Sequence, residues 1–225
     1  MTSVLKYCLT RAGELASPRM IYNLDSTVNY LEVGRWMRAN GYGAACRVQR
    51  REQLFEIVAS QVAQSNVLYL EFGVYQGDTI RYWSRLLRNP KSKLHGFDSF
   101  EGLPEDWLPQ RPKGHFSLQG QIPQIDDPRV QFFPGWFEQT LPHYTLPVHD
   151  VLVLNFDADL YSSTIFVLNA IERAIVPGTY IYFDEFNHRS HELRAFREFT
   201  ERTGKRYSLL GATCCLDQVL FQSIA

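Results

Sequence analysis

The 225-residue sequence is short of several features that would otherwise direct its reading. No stretch approaches the ~20 consecutive apolar residues that cross a bilayer, which excludes a helical membrane span. The opening residues Met1-Thr2-Ser3-Val4-Leu5-Lys6-Tyr7 lack the apolar core of a signal peptide, so a cytoplasmic protein is expected. There are only 4 cysteines, two of them adjacent at Cys214-Cys215, in neither a disulfide framework nor a zinc-ligand spacing. They suit a reducing compartment, and Cys214-Cys215 is expected to be buried beside the last strands. Charge of either sign is not in excess: 23 Lys and Arg stand against 24 Asp and Glu, a formal net charge of −1. A chain so balanced offers no basic surface for phosphate backbones, and nucleic acid is not an expected partner. Internal repeats and low-complexity tracts are absent too. What remains is a chain that is 45% hydrophobic, long enough for one well-buried α/β core and an extension.

The rest is organised around Val67-Leu68-Tyr69-Leu70-Glu71-Phe72-Gly73-Val74-Tyr75-Gln76-Gly77-Asp78-Thr79. The apolar, β-rich residues to Phe72 read as a buried strand, and the two glycines as a tight turn into a helix whose N-terminus faces a ligand. A dinucleotide site requires G-x-G-x-x-G, which disfavours a nicotinamide enzyme here. The acid-x-Gly-x-x-x-Gly turn resembles motif I of class I methyltransferases, a resemblance that implies a loop holding the amino-acid end of S-adenosylmethionine. Glycines kept for packing alone are the alternative.

Residues 1 to 24 show no clear period and receive no assignment. A helix is expected from Asp25-Ser26 as N-cap to Asn40-Gly41, and a second from Arg50 to Ala63 with Leu54, Phe55, Val58 and Val62 on one face. Leu31-Glu32-Val33-Gly34 imitates the acid-x-Gly pattern, but no apolar strand precedes it. The two helices are expected to form a cap beside the core or over the site. After the glycine turn come a helix to Leu87 and a short strand, Leu94 to Phe97, that delivers Asp98. An acid there can accept hydrogen bonds from both hydroxyls of an adenosine ribose; capping of the next turn is the alternative. Phe100 to Gly120 is broken by Gly and Pro and reads as a loop that covers the site. Strands follow at Val130–Phe133, Val151–Phe156, Thr179–Phe183, Tyr207–Leu210 and Gln218–Gln222, with helices between, the last from Glu192 to Arg202. The alternation predicts an α/β, Rossmann-like, doubly wound and mostly parallel seven-stranded sheet with an N-terminal helical extension: residues 1–63 as the extension and 64–225 as the main domain.

Asp157, Asp159, Asp184 and Glu185 leave two strands expected to be neighbours at one rim of the sheet. Four carboxylates in one crevice repel one another, and a bound cation removes the difficulty. All-oxygen ligands favour a hard ion, Mg²⁺ first, with Ca²⁺ or Mn²⁺ as alternatives. Helix-capping acids at strand ends are the plainer reading. His143, His188 and His191 are either loop residues or candidate bases.

Four ordered stretches, Tyr69 to Gly77, Gly96-Phe97-Asp98-Ser99-Phe100-Glu101-Gly102-Leu103-Pro104-Glu105, Gly135-Trp136-Phe137 through Thr140-Leu141-Pro142, and Asp157-Ala158-Asp159-Leu160-Tyr161-Ser162-Ser163-Thr164, resemble the macrocin O-methyltransferase family over roughly residues 66 to 200. The resemblance implies a metal-dependent O-methyltransferase that uses S-adenosylmethionine, with a small-molecule acceptor such as a sugar or other vicinal hydroxyls, and a homodimer. By position, it implies Asp157, Asp184 and Glu185 as metal ligands and Asp159 as general base. Glu71, Gly73, Gly77, Asp98, Thr79 and Ser99 match cofactor positions. The family commonly has two aspartates after the fifth strand, where this chain has Asp184-Glu185. A metal-independent methyltransferase with His143 or His191 as base, and a non-catalytic protein of the same fold, are the alternative readings.

Overall fold

The computed structural model describes residues 1–43 and 46–225. Seven helices and eight strands alternate along them: α1 (Ser3–Gly13), α2 (Pro18–Ala39), β1 (Cys46–Val48), α3 (Arg51–Val62), β2 (Val67–Phe72), α4 (Asp78–Leu86), β3 (Lys93–Asp98), β4 (Val130–Pro134), α5 (Phe137–Thr140), β5 (Val151–Phe156), α6 (Tyr161–Ala170), β6 (Tyr180–Phe183), α7 (Glu192–Thr203), β7 (Tyr207–Thr213) and β8 (Val219–Ser223). They form one sheet in the order β1-β7-β8-β6-β5-β2-β3-β4. Only β8 runs antiparallel, to both β6 and β7. The doubly wound α/β reading thus stands.

Strand β2 is buried along its whole length, and its alternation divides the core. Leu68, Leu70 and Phe72 join one apolar cluster with Leu152, Leu154, Phe156, Ile181 and Phe183, covered by Val33 and Met37 of α2, Val167 and Leu168 of α6, and Phe196 and Phe199 of α7. Val67 and Tyr69 point the other way, toward Phe55 and Val58 of α3 and Ile80 and Trp83 of α4. Covering both faces explains why β2 and β5 read as unbroken apolar runs. Each such side chain, removed from water, contributes about 1.5–3 kcal/mol.

Three expectations are corrected. The sheet has eight strands rather than seven, because Cys46–Val48 pairs parallel with Gly211 to Thr213 at the edge; three residues, of which only Val48 is buried, are too few to show a period. Helix α2 starts at Pro18 instead of Asp25-Ser26: Ser17 accepts a hydrogen bond from the Met20 N–H and Pro18 occupies the first turn, so a pair read as irregular chain is a helix start. Helix α1 precedes it and buries none of its residues, which is why the segment lacks an apolar stripe. Cys214 and Cys215 are exposed, because they lie on the turn between β7 and β8 beyond the packed faces. Among the described residues, no helix is long and apolar enough to cross a membrane.

Candidate active site

The sheet's winding reverses at β2, which pairs with β3 on one side and β5 on the other. Loops leaving such neighbours diverge and open a crevice at the carboxyl ends of the strands. A crevice of about 710 Å³ lies there.

Its floor is the glycine turn. Gly73 has φ +89°, and a Cβ built on it would meet the Asp157 carbonyl oxygen at 1.9 Å, so the loops after β2 and β5 touch through bare backbone. Gly77, at φ +77°, caps α4 in the left-handed region. Asp98 ties the turn to β3: its Oδ2 accepts the N–H groups of Val74 and Tyr75 at 2.7 and 2.9 Å, and its Oδ1 accepts that of Phe100 at 2.7 Å. A carboxylate has about four acceptor sites, so roughly one stays open to the crevice. The loop from Gly102 to Phe116 folds back over this floor, held by the Leu103 N–H on the His115 carbonyl and the Gly114 N–H on the Leu103 carbonyl. Leu103, Glu105, Arg111 and Phe116 line the crevice, as expected of a covering loop.

The acids stand along the other wall. Asp159, 7% exposed, has φ +59°, a conformation costly for a residue with a Cβ. Burial, with the charges of Glu185, Asp184 and Asp98, raises its carboxyl to about 8 against the pull of Arg111. Glu185 rises to about 7, through burial and then Asp184. Asp157 is raised by burial and by Asp184 and Asp159. Asp184 accepts hydrogen bonds from the Tyr182 hydroxyl at 2.5 Å and from Arg51 Nη1 at 3.2 Å. The donor chemistry, all-oxygen carboxylates that repel one another and are only partly balanced by Arg51 and Arg111, fits a hard divalent cation. The spacing is open, since among the described residues no three His, Cys, Asp or Glu side chains are close enough together to hold a metal ion.

Gly73, Thr79, Asp98, Ser99, Asp157, Asp159, Asp184 and Glu185 therefore share one crevice. Gly77 and Glu71 lie behind its lining. Glu71 is 1% exposed, receives the Tyr69 hydroxyl, and is raised to about 8 by burial. His143 is exposed on the 3₁₀ turn after α5, and His191 packs edge-on to Trp107 outside the crevice. Sequence reasoning passed over Arg51, whose only signal was its place at the start of a helix. It also passed over Glu192, wholly buried in the first turn of α7, where Oε2 accepts the Glu185 N–H and Oε1 has no partner among the described residues. Burial raises Glu192 well above the usual carboxylate range.

A second cavity of about 180 Å³ adjoins the first and shares Arg111 and Glu185 with it. Tyr22, Asp25, Asn29 and Tyr30 of α2 line it, with Trp107 and His188.

Comparison with known proteins agrees with this architecture. A curated relative, 8-demethyl-8-(2,3-dimethoxy-alpha-L-rhamnosyl)-tetracenomycin-C 4'-O-methyltransferase of Streptomyces olivaceus, is 26% identical over 141 residues, 52% of this chain and 52% of the relative. The chain thus matches about half the length of that relative. The calicheamicin methyltransferase CalS11 superposes with a TM-score of 0.57 at 19% identity, over 99% of this chain and 93% of that one. The cmcI structure with Mg and SAM does so at 0.51 and 16% identity, over 79% and 77%. At such identities these superpositions speak for the fold. The model of the macrocin-O-methyltransferase (TylF) family matches residues 42–209, three quarters of the sequence and all of the crevice described above, and the chain belongs to that family.

Proposed function

We propose that this protein is an O-methyltransferase that transfers the methyl group of S-adenosylmethionine to a hydroxyl of a sugar on a natural product, with a hard divalent cation, Mg²⁺ first, held by Asp157, Asp184 and Glu185. The observation that carries the reading is the juxtaposition in one crevice of the Gly73 turn with the four acids at the ends of β5 and β6. Family membership supports the reaction. The rhamnosyl substrate named for the Streptomyces olivaceus relative supports a sugar acceptor. So does the adjoining cavity, where Tyr22, Tyr30 and Trp107 offer flat apolar faces and Asp25, Asn29 and His188 offer polar groups suited to hydroxyls.

The chain's own residues have distinct tasks in this reading. The Gly73 turn and Thr79 seat the donor's amino-acid end, and the remaining acceptor site on Asp98 takes a ribose hydroxyl. Asp159 removes the acceptor's proton as the oxygen attacks the sulfonium methyl, giving a methyl ether and S-adenosylhomocysteine. A carboxylate alone is a poor base for a sugar hydroxyl, so Asp159 acts on a hydroxyl whose acidity metal coordination would raise. A cation held by Asp157, Asp184 and Glu185 would supply Lewis-acid charge against the negative charge that develops on the acceptor oxygen.

The test is a methyl-transfer screen on glycosides and catechols, with and without Mg²⁺, read as S-adenosylhomocysteine released. Turnover on a glycoside that stops with a chelator and returns with Mg²⁺ is expected. Full turnover in the chelator rejects the metal, and turnover on catechols alone rejects the sugar. Neither His143 nor His191 lines the crevice, which weighs against the metal-independent alternative.

A further inference from the structure

The methyl donor named above carries a carboxylate at its amino-acid end, and eight acidic residues line the crevice it would enter, among them Asp98, Asp157, Asp159, Asp184 and Glu185. The donor is cationic overall, its sulfonium and ammonium outweighing its one carboxylate, so the acids suit most of it and only the α-carboxylate calls for a positive partner. The cations lining the crevice are Arg51, Arg111 and Lys113. Arg111 stacks on the covering loop, its guanidinium 4.5 Å from the Trp107 ring centre and 5.3 Å from that of Phe116, and its charge bears on Asp159 and Glu185. Lys113 is on that loop too.

Arg51 lies elsewhere. It opens α3, at the carboxyl rim of the sheet and on the face shared with α4. Its charge reaches Glu71 and Asp157, the residues that flank Gly73 from before it in the chain and from beneath. One of its five N–H donors is spent on Asp184 at 3.2 Å, its Nε lies 3.8 Å from a Glu52 carboxylate oxygen, and its side chain is 35% exposed. Thr79, 8% exposed, lines the same crevice, and its hydroxyl makes no hydrogen bond among the described residues. Thr79 sits in the first turn of α4, where the first intrahelical bond is the Arg81 N–H to the Gly77 carbonyl, so its own N–H is unclaimed by the helix.

We propose that Arg51 is the anchor for the donor's α-carboxylate, gripping it opposite the hydroxyl and N–H of Thr79. Arg51 thereby bridges Asp184 and the donor, and ties the metal-side acids to the amino-acid end of the cofactor. The inference rests on the reading that the crevice binds S-adenosylmethionine.

Calorimetry with two probes separates the two claims. S-adenosylhomocysteine has the carboxylate; 5'-methylthioadenosine has the same nucleoside and sulfur without the amino acid. In Arg51→Met, S-adenosylhomocysteine affinity is expected to fall about 10- to 100-fold, as for loss of a charged hydrogen bond. Affinity for 5'-methylthioadenosine stays within about twofold, and so reports an intact fold. Arg51→Lys recovers part of the loss. Unchanged S-adenosylhomocysteine affinity in Arg51→Met, or equal losses for both probes, overturns the anchor. Wild-type protein that binds neither probe overturns the donor reading itself.

Discussion

The backbone of Gly73 leaves no room for a side chain above the carbonyl oxygen of Asp157: a Cβ would come within 1.9 Å of it. This contact sets the loop after β2 directly on the loop after β5, and brings the cofactor turn beside the first acid of the cluster. Gly73→Ala is expected to force the two loops apart and to cost more than the ~1–3 kcal/mol of a strained backbone alone. Gly77→Ala meets Pro123 and Ile125 side chains at 3.3 and 3.4 Å, and is expected to cost about 1 kcal/mol through its positive φ. Urea denaturation of both variants checks the order.

Asp98→Ala removes the acceptor of three backbone N–H groups and the open site beside them. S-adenosylhomocysteine affinity is expected to drop at least tenfold, a charged hydrogen bond contributing about 1.5–3 kcal/mol. Unchanged affinity by calorimetry would refute the assignment.

Asp159→Asn keeps the shape of the crevice and removes the proposed base. A fall in kcat of about 10²–10⁴ is expected, with S-adenosylhomocysteine affinity retained. Asp157→Ala is expected to abolish turnover and the response to Mg²⁺ while donor binding persists. Initial rates and calorimetry on the same preparations separate the two roles.

Stability of the metal-free protein should fall as pH rises. Asp159 and Glu185 are raised to about 8 and about 7, so the folded state holds protons that the unfolded chain releases near 4. Between about pH 4 and pH 8 the folded state therefore binds more protons, and unfolding becomes easier with each step upward. The urea midpoint in a chelator should decline from pH 5.5 to 8.5, and Mg²⁺ should flatten the slope. A midpoint that rises across this range would contradict the raised carboxyls.

Burial favours the neutral form of Glu192 and holds its carboxyl well above the usual carboxylate range. Glu192→Gln, a neutral isostere that can still accept the Glu185 N–H, is then expected to cost under about 1 kcal/mol. Glu192→Ala orphans that N–H and is expected to cost about 1–3 kcal/mol. Similar losses in both variants would mean that the charge matters.

Much of this site was legible in order along the chain. The apolar run to Phe72 and the Gly73–Gly77 spacing located the crevice, and the acids after β5 and β6 lay where strand ends meet. Short or unpatterned pieces were not legible. Strand β1 is three residues long, and α1 hides no face from water, so neither leaves a period to read.

Local sequence determined the sheet, its alternating helices and the acids at its rim, because two-sided burial writes continuous apolar runs and tight turns demand glycine. Tertiary structure alone decided which charges meet. Arg51 reaches Asp184 across 133 residues only because the order of strands in the sheet brings distant chain to one edge. No spacing in a one-dimensional string encodes that convergence, since it depends on strand order in the sheet rather than on any local period.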